Sequence, residues 1–132
     1  MSLLIGQHIK AVLDGDPLVK ARLGERVYPV VVTQSISAYP LLVYSNTGTV
    51  PDETKDGNSN DNVTVVLVLM SDKYNEAILL MNHIRYIFEG KTAKYPLFEV
   101  TDCVLVSSSE DYDPELAKYV ITISLNFNTI DE

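Results

Sequence analysis

The chain has 132 residues, 46% of them hydrophobic and 21% charged, a length and balance that fit one folded domain with a buried core and exclude an intrinsically disordered chain. No apolar run approaches the roughly 20 residues of a membrane span, the opening Met1-Ser2-Leu3-Leu4-Ile5-Gly6 has neither the basic start nor the small-residue cleavage site of a secretory signal, and the lone Cys103 excludes an intrachain disulfide. Ten basic residues against 18 acidic ones give a net charge of −8, with Lys20, Arg22 and Arg26 the nearest thing to a basic cluster, so the chain lacks the phosphate-neutralising stripe that sequence-specific nucleic-acid binding requires.

Ser2 is placed to cap a first helix whose apolar positions Ile5, Ile9, Val12 and Leu13 follow helical spacing and which stops at Asp14-Gly15. Asp16-Pro17 reads as a cap followed by proline at the first helical position, opening a short second helix that ends at Gly24. Residues 26–33 are rich in Val and Tyr, but Pro29 cannot donate to a ladder, which predicts a short or edge strand. A second strand is expected over 41–45, entered through Tyr39-Pro40.

From Gly48 to Asn62 the chain turns polar, and between Pro51 and Asn62 no apolar side chain but proline occurs; this stretch is expected to be a flexible, solvated loop or a hairpin with a mobile tip. Residues 63–70 are apolar on both faces apart from Thr64, the pattern of a central strand covered on both sides. Ser71 or Asp72 then caps the longest helix, which runs to Glu89 before Gly90 and carries the stripe Tyr74, Ala77, Ile78, Met81, Ile84 and Phe88, widened by Leu80 and Ile87. Strands are predicted over 98–106 and 119–128, the second alternating Ile121, Ile123, Leu125 and Phe127 with Thr122, Ser124 and Asn126, and the acidic segment 110–115 is expected to turn between them. The order of elements predicts one α+β domain over residues 1–132: a mainly antiparallel sheet packed by one long helix, with two short N-terminal helices.

Little in the sequence points to catalysis. His8 and His83 lie on separate predicted helices, outside any paired metal-ligand spacing, and read as structural histidines. Cys103 sits in the apolar run Cys103-Val104-Leu105-Val106 and reads as a buried, inert thiol; a hydrolase or transferase would need His83, Cys103 and a carboxylate to converge in one cleft. The six glycines are dispersed, so no phosphate-cradling loop is present, and the start of a calcium-loop pattern at Asp52 fails because Val63 stands where the bidentate glutamate belongs. Glu110, Asp111, Asp113 and Glu115 read as a solvated turn with, at most, weak affinity for a cation. No catalytic, cofactor or metal residue is assigned, and no cofactor is expected.

Several segments at these spacings carry a resemblance. They are the opening helix to Leu13-Asp14 with Asp16-Pro17-Leu18-Val19, the segment Gly24-Glu25-Arg26-Val27-Tyr28-Pro29 with the later Tyr39-Pro40-Leu41-Leu42-Val43-Tyr44, Ser71-Asp72-Lys73-Tyr74-Asn75-Glu76-Ala77, and Asp111-Tyr112-Asp113-Pro114-Glu115 followed by Tyr119-Val120-Ile121-Thr122-Ile123. Along most of its length the chain resembles the tail-completion proteins of long-tailed phages, the tail-terminator and head-to-tail joining proteins. The resemblance implies a structural, non-enzymatic virion or prophage protein that caps the head-proximal end of the tail tube and joins it to the head connector. Its partners would be tail-tube and head-connector proteins, with a homo-oligomeric ring formed on assembly from a subunit that can be monomeric in solution, and with no sequence-specific nucleic acid and no membrane among them. It would be found in the virion tail, and in the host bacterial cytoplasm during assembly. Within it, Asp52, Glu53, Lys55, Asp56 and Asp61 are the residues of a candidate assembly-interface loop. The competing expectation is a non-viral α+β ligand-binding or dimeric module without catalytic activity.

Overall fold

The computed structural model describes residues 2–32, 38–53 and 59–131. A single turn of 3-10 helix at Ser2–Leu4 leads into α1 (Ile5–Gly15), so the helix proper begins at Ile5 without a side-chain cap, later than a Ser2 cap would place it. α2 (Pro17–Leu23) starts as the sequence dictates: the Asp16 carboxylate accepts hydrogen bonds from the amides of Leu18 and Val19 at 3.1 Å each, and Gly24 ends the helix with φ 57°. β1 (Val27–Pro29) follows, then β2 (Leu41–Glu53), β3 (Ser59–Ser71), α3 (Tyr74–Phe88), β4 (Ala93–Lys94), β5 (Phe98–Asp113) and β6 (Lys118–Asp131). Neither Ser71 nor Asp72 caps α3; Lys73 holds that position without a side-chain hydrogen bond, and the Ser71 hydroxyl accepts from the Lys73 amide instead.

The six strands form one sheet in the order β1-β2-β3-β6-β5-β4, antiparallel throughout except where β1 runs parallel to β2. A β3 flanked by β2 and β6 is the central strand its apolar run predicts. It is covered on one face only. Val63, Val65, Leu67 and Leu69 are buried against α1, α2 and α3, whereas Thr64, Val66, Val68 and Met70 stay half-exposed on the other side. The same split runs along β6, where Ile121, Ile123, Leu125, Phe127 and Thr129 are buried and Thr122, Ser124 and Asn126 are not.

The core is built from Ile5, Ile9 and Leu13 of α1, Val19 and Leu23 of α2, and Ala77, Leu80, Met81, Ile84 and Phe88 of α3, all laid onto that inner face. Of the predicted α3 stripe, Tyr74 is exposed and Ile78 and Ile87 are half-buried.

Strand pairing decides one expectation and corrects another. Of the loop and the hairpin expected over 48–62, residues 48–53 and 59–62 take the hairpin as its two arms, with Val50 opposite Asn62, Pro51 opposite Asp61 and Glu53 opposite Ser59, while 54–58 lie outside the described residues. A polar strand is stable there because its backbone is satisfied by neighbours, β3 being paired with β6 as far as Asn60–Ile130. Likewise Glu110, Asp111, Tyr112 and Asp113 belong to β5, paired with 118–121 of β6, and the turn occupies 114–117. The Asp113 carboxylate closes that turn by accepting from the amides of Glu115 and Leu116.

Candidate functional site

The groups with chemical potential are dispersed and used structurally. His8 is 1% exposed in the core, its Nδ1 2.7 Å from the Tyr95 hydroxyl and its ring edge-to-face with Phe88, Tyr95 and Phe127. Burial without a countercharge lowers its pKa to about 4, so the imidazole is neutral, and its Nε2 has no hydrogen-bond partner. His83 lies elsewhere, its Nε2 2.9 and 3.0 Å from the two carboxylate oxygens of Asp16, so α3 is tied to the cap of α2. Partial burial works against ionisation of Asp16, but the Val19 amide, the His83 ring and the Leu18 amide together hold its carboxyl below the usual range. Cys103 is buried, and desolvation, with Glu89 and Asp102 nearby, pushes its thiol up to about 12. Asp16, not Cys103, is the recorded partner of His83. Among the described residues, no group of three or more His, Cys, Asp or Glu side chains can hold a metal ion.

The candidate interface residues are only partly brought together. Asp52 stands opposite Asn60 and Glu53 opposite Ser59 at the end of the hairpin, and Asp61 stands between Pro51 and Thr129; Lys55 and Asp56 lie outside the described residues. This hairpin, with four acids against one base from 52 to 61, and the β5–β6 hairpin, with Glu110, Asp111, Asp113 and Glu115 against Lys118, hold most of the negative surplus. The register puts them at opposite ends of the sheet, since β3 meets β6 with Asn60 against Ile130 and Ser71 against Tyr119.

Most cations, by contrast, are consumed locally: Lys10 by Asp14, Lys20 by Asp14 and Glu25, Arg22 by Glu76, Arg85 by Glu89, Lys94 by Glu99, with Lys91 over the Tyr86 ring and Lys118 over Tyr39. Among the described residues Lys73 is exposed without such a partner, so the surface is predominantly, not wholly, acidic or neutral.

Three surface features were not legible from the residues. The first is a pair of incompletely covered sheet edges. Among the described residues β1 pairs only with 42–44 of β2, leaving 45–53 without a strand partner on that side, and β4 covers only Glu99 and Val100 of β5. The turn after α3 covers a further part of β5, because the Gly90 amide donates to the Cys103 carbonyl and Glu89 accepts from the Leu105 amide; beyond that point no strand among the described residues pairs with the edge of β5.

The second is Val30, which has φ 65° and is the central residue of a γ-turn closed by a Val31 amide to Pro29 carbonyl bond of 2.6 Å. A β-branched residue in the left-handed region is strained by about 1–3 kcal/mol. Val30 is 71% exposed and Val31 57%, so the strain is not repaid by burial within the subunit.

The third is a groove of about 160 Å³ between α3 and the β5–β6 pair, lined by Ile78, Met81, Asn82, Leu105, Ile121 and Ile123 among others. It opens because β5 and β6 run on past the stretch that α3 covers.

Open sheet edges, exposed apolar side chains and a shallow groove are the kind of surface through which proteins contact one another, and none of them is a catalytic arrangement. The chain belongs to the family described as Tail completion protein gp17, whose sequence model matches residues 7–130. No curated protein matches the sequence. Among solved structures, a chain of the "Virion of native gene transfer agent (GTA) particle" is similar, with a TM-score of 0.79 at 10% identity, over 94% of this chain and 92% of that one; at such identity the likeness is one of fold. The protein is a structural component of a phage-type virion tail with a role in tail completion. The family assignment weighs against the alternative of a non-viral binding module.

Proposed function

We propose that the protein closes the head-proximal end of the tail tube and joins it to the head connector, as one subunit of a homo-oligomeric ring. The observation that carries this reading is a sheet with an incompletely covered edge on each side, in a chain whose family acts in tail completion. A closed ring needs heterologous contacts, one surface of each subunit meeting a different surface of the next, and two dissimilar edges on one sheet supply them. The role is mechanical and not catalytic: His8 and Cys103 are sequestered in the core, and His83 serves to bind α3 to α2. Its partners are tail-tube and head-connector proteins, met in the host bacterial cytoplasm during assembly.

The hairpin around Asp52, Glu53, Lys55, Asp56 and Asp61 is the second element of the proposal, as an assembly contact or part of the wall of the conduit. With an acidic hairpin at each end of the sheet, a ring of such subunits repels phosphates and does not grip DNA in transit.

Deleting the gene and imaging particles from the induced host tests the role. The expected result is filled heads beside detached or overlong tails; normally joined virions, in a strain without a second copy, would refute it. Limited proteolysis tests the hairpin: cleavage within 53–59 should slow in assembled tails relative to the free protein, and equal cleavage in both would remove it from the interface.

A further inference from the structure

The strained valines and the groove lie on opposite sides of one sheet. Val30 and Val31 follow β1, the edge strand on one side, and the Val30 amide donates to the Tyr44 carbonyl of β2 at 2.7 Å, which fixes their position on that edge. The groove lies four strands away, at about 20 Å by ordinary strand spacing, where β5 has passed beyond its short partner β4. No subunit can therefore fill its own groove with its own valines.

We propose that Val30 and Val31 of one copy of this chain seat in the α3/β5–β6 groove of the next copy and form the repeating contact of the ring. The inference rests on the ring reading above and names the surfaces that would build it. Three properties of the two features choose a second copy as the occupant. They occupy opposite edges of one subunit, as a head-to-tail contact requires, and a knob meeting a pocket elsewhere on the same molecule gives a heterologous contact that repeats. Their chemistry is compatible: the knob is uncharged and apolar, and half of the groove lining is apolar, Ile78, Met81, Leu105, Ile121 and Ile123, while its two charged residues are engaged within their own subunit, Arg85 with Glu89 at 3.1 Å and Glu110 accepting from the Tyr74 hydroxyl at 2.8 Å. Their sizes match too, since 160 Å³ is comparable to the roughly 150 Å³ apolar cavity that accepts benzene, room for branched aliphatic side chains. The γ-turn adds rigidity, because its two hydrogen bonds hold the valines outward before any partner arrives and little conformational freedom is left to lose on docking.

Two variants in the gene-deleted host test this. Val30→Cys combined with Asn82→Cys puts one thiol on the knob and one on the groove; the native Cys103 can stay, being buried and unreactive. Particles carrying the pair should, on mild oxidation, give a ladder of cross-linked multimers that neither single substitution gives. Val30→Gly removes the knob while accepting the positive φ, so it should fold at least as well as the parent and yet lower the yield of joined particles roughly tenfold, the scale of one lost apolar anchor. Joined particles with a visible ring, no ladder and unchanged yield for Val30→Gly would overturn the contact and leave the ring reading standing. Cross-linking of Val30→Cys to a tail-tube or connector protein would overturn it by naming another occupant, and the absence of any ring would sink both readings.

Discussion

The two faces of the sheet are made from the same strands and have different tasks. On the inner face of β3 and β6, eight residues from Val63 to Leu69 and from Ile121 to Phe127 are sealed beneath three helices. One residue along each strand, Thr64, Val66, Val68, Thr122, Ser124 and Asn126 present short, uncharged side chains to the surroundings; the only side-chain hydrogen bond recorded among these six links Asn126 to Thr64. In a chain of net charge −8, these six positions on the two middle strands are uncharged, while most of the negative surplus sits on the hairpins at the ends of the sheet. The inner face holds the subunit together. The outer face is left smooth and adds little to stability.

Substitutions can break or sharpen this contrast. The largest effect belongs to Phe127, fully buried against His8 and Phe88: Phe127→Ala should lower unfolding free energy by about 3–5 kcal/mol in a denaturant titration. Next is the acid sensitivity of the inner layer through His8. Its pKa is about 4 folded and 6.5 in an unfolded chain, so below pH 6.5 the unfolded state takes up the proton first. Stability should be insensitive to His8 above about pH 6.5 and fall as pH drops towards 4, by up to about 3 kcal/mol; His8→Leu should flatten the slope in that window whatever its effect on absolute stability. Asp16 acts in a separate window, below its ordinary carboxyl pKa, where protonation weakens the cap and the His83 bond; Asp16→Ala should cost about 1–2 kcal/mol at neutral pH.

Smaller still is Val30→Gly, where relief of left-handed strain outweighs the extra freedom of glycine in the unfolded chain, and a gain of up to about 1 kcal/mol is expected in thermal melts. On the outer face, Thr122→Ala and Ser124→Ala should shift stability by no more than about 0.5 kcal/mol. A large loss there would mean that the outer face also supports the isolated subunit.

Sequence patterning reached the parts of the fold where local chemistry decides. The Asp16-Pro17 cap, the Gly24 and Gly90 stops and the strict alternation of 121–127 all appear where the residues place them. It was undecided or failed where a strand is held by its neighbours and not by its own apolar content: 48–62 left loop and hairpin open because it buries little, and the acidic residues Glu110–Asp113, read as a turn, continue β5 because β6 begins at Lys118 directly opposite. The parallel docking of β1 on β2 depends on a contact between segments that no local pattern specifies. For the candidate site, the acidic character of the hairpin was visible, but the groove was not, since it arises from how far β5 and β6 overrun α3. Val30 was hidden for another reason: nothing about a valine after Pro29 announces a positive φ, and its neighbours Val31 and Val32 look like more strand.

The edge of β2 that no described strand covers is itself interrupted. A register shift between Asn46 and Gly48, an Asn46 side chain that accepts from the Gly48 amide, and Pro51 with no amide hydrogen leave a ragged line of donors where a strand could otherwise be added at random. Such an edge resists the indiscriminate strand addition by which bare sheet edges stack into fibrils. What can join it is thereby narrowed to a neighbour whose shape fits the interruption, and any passing strand is refused.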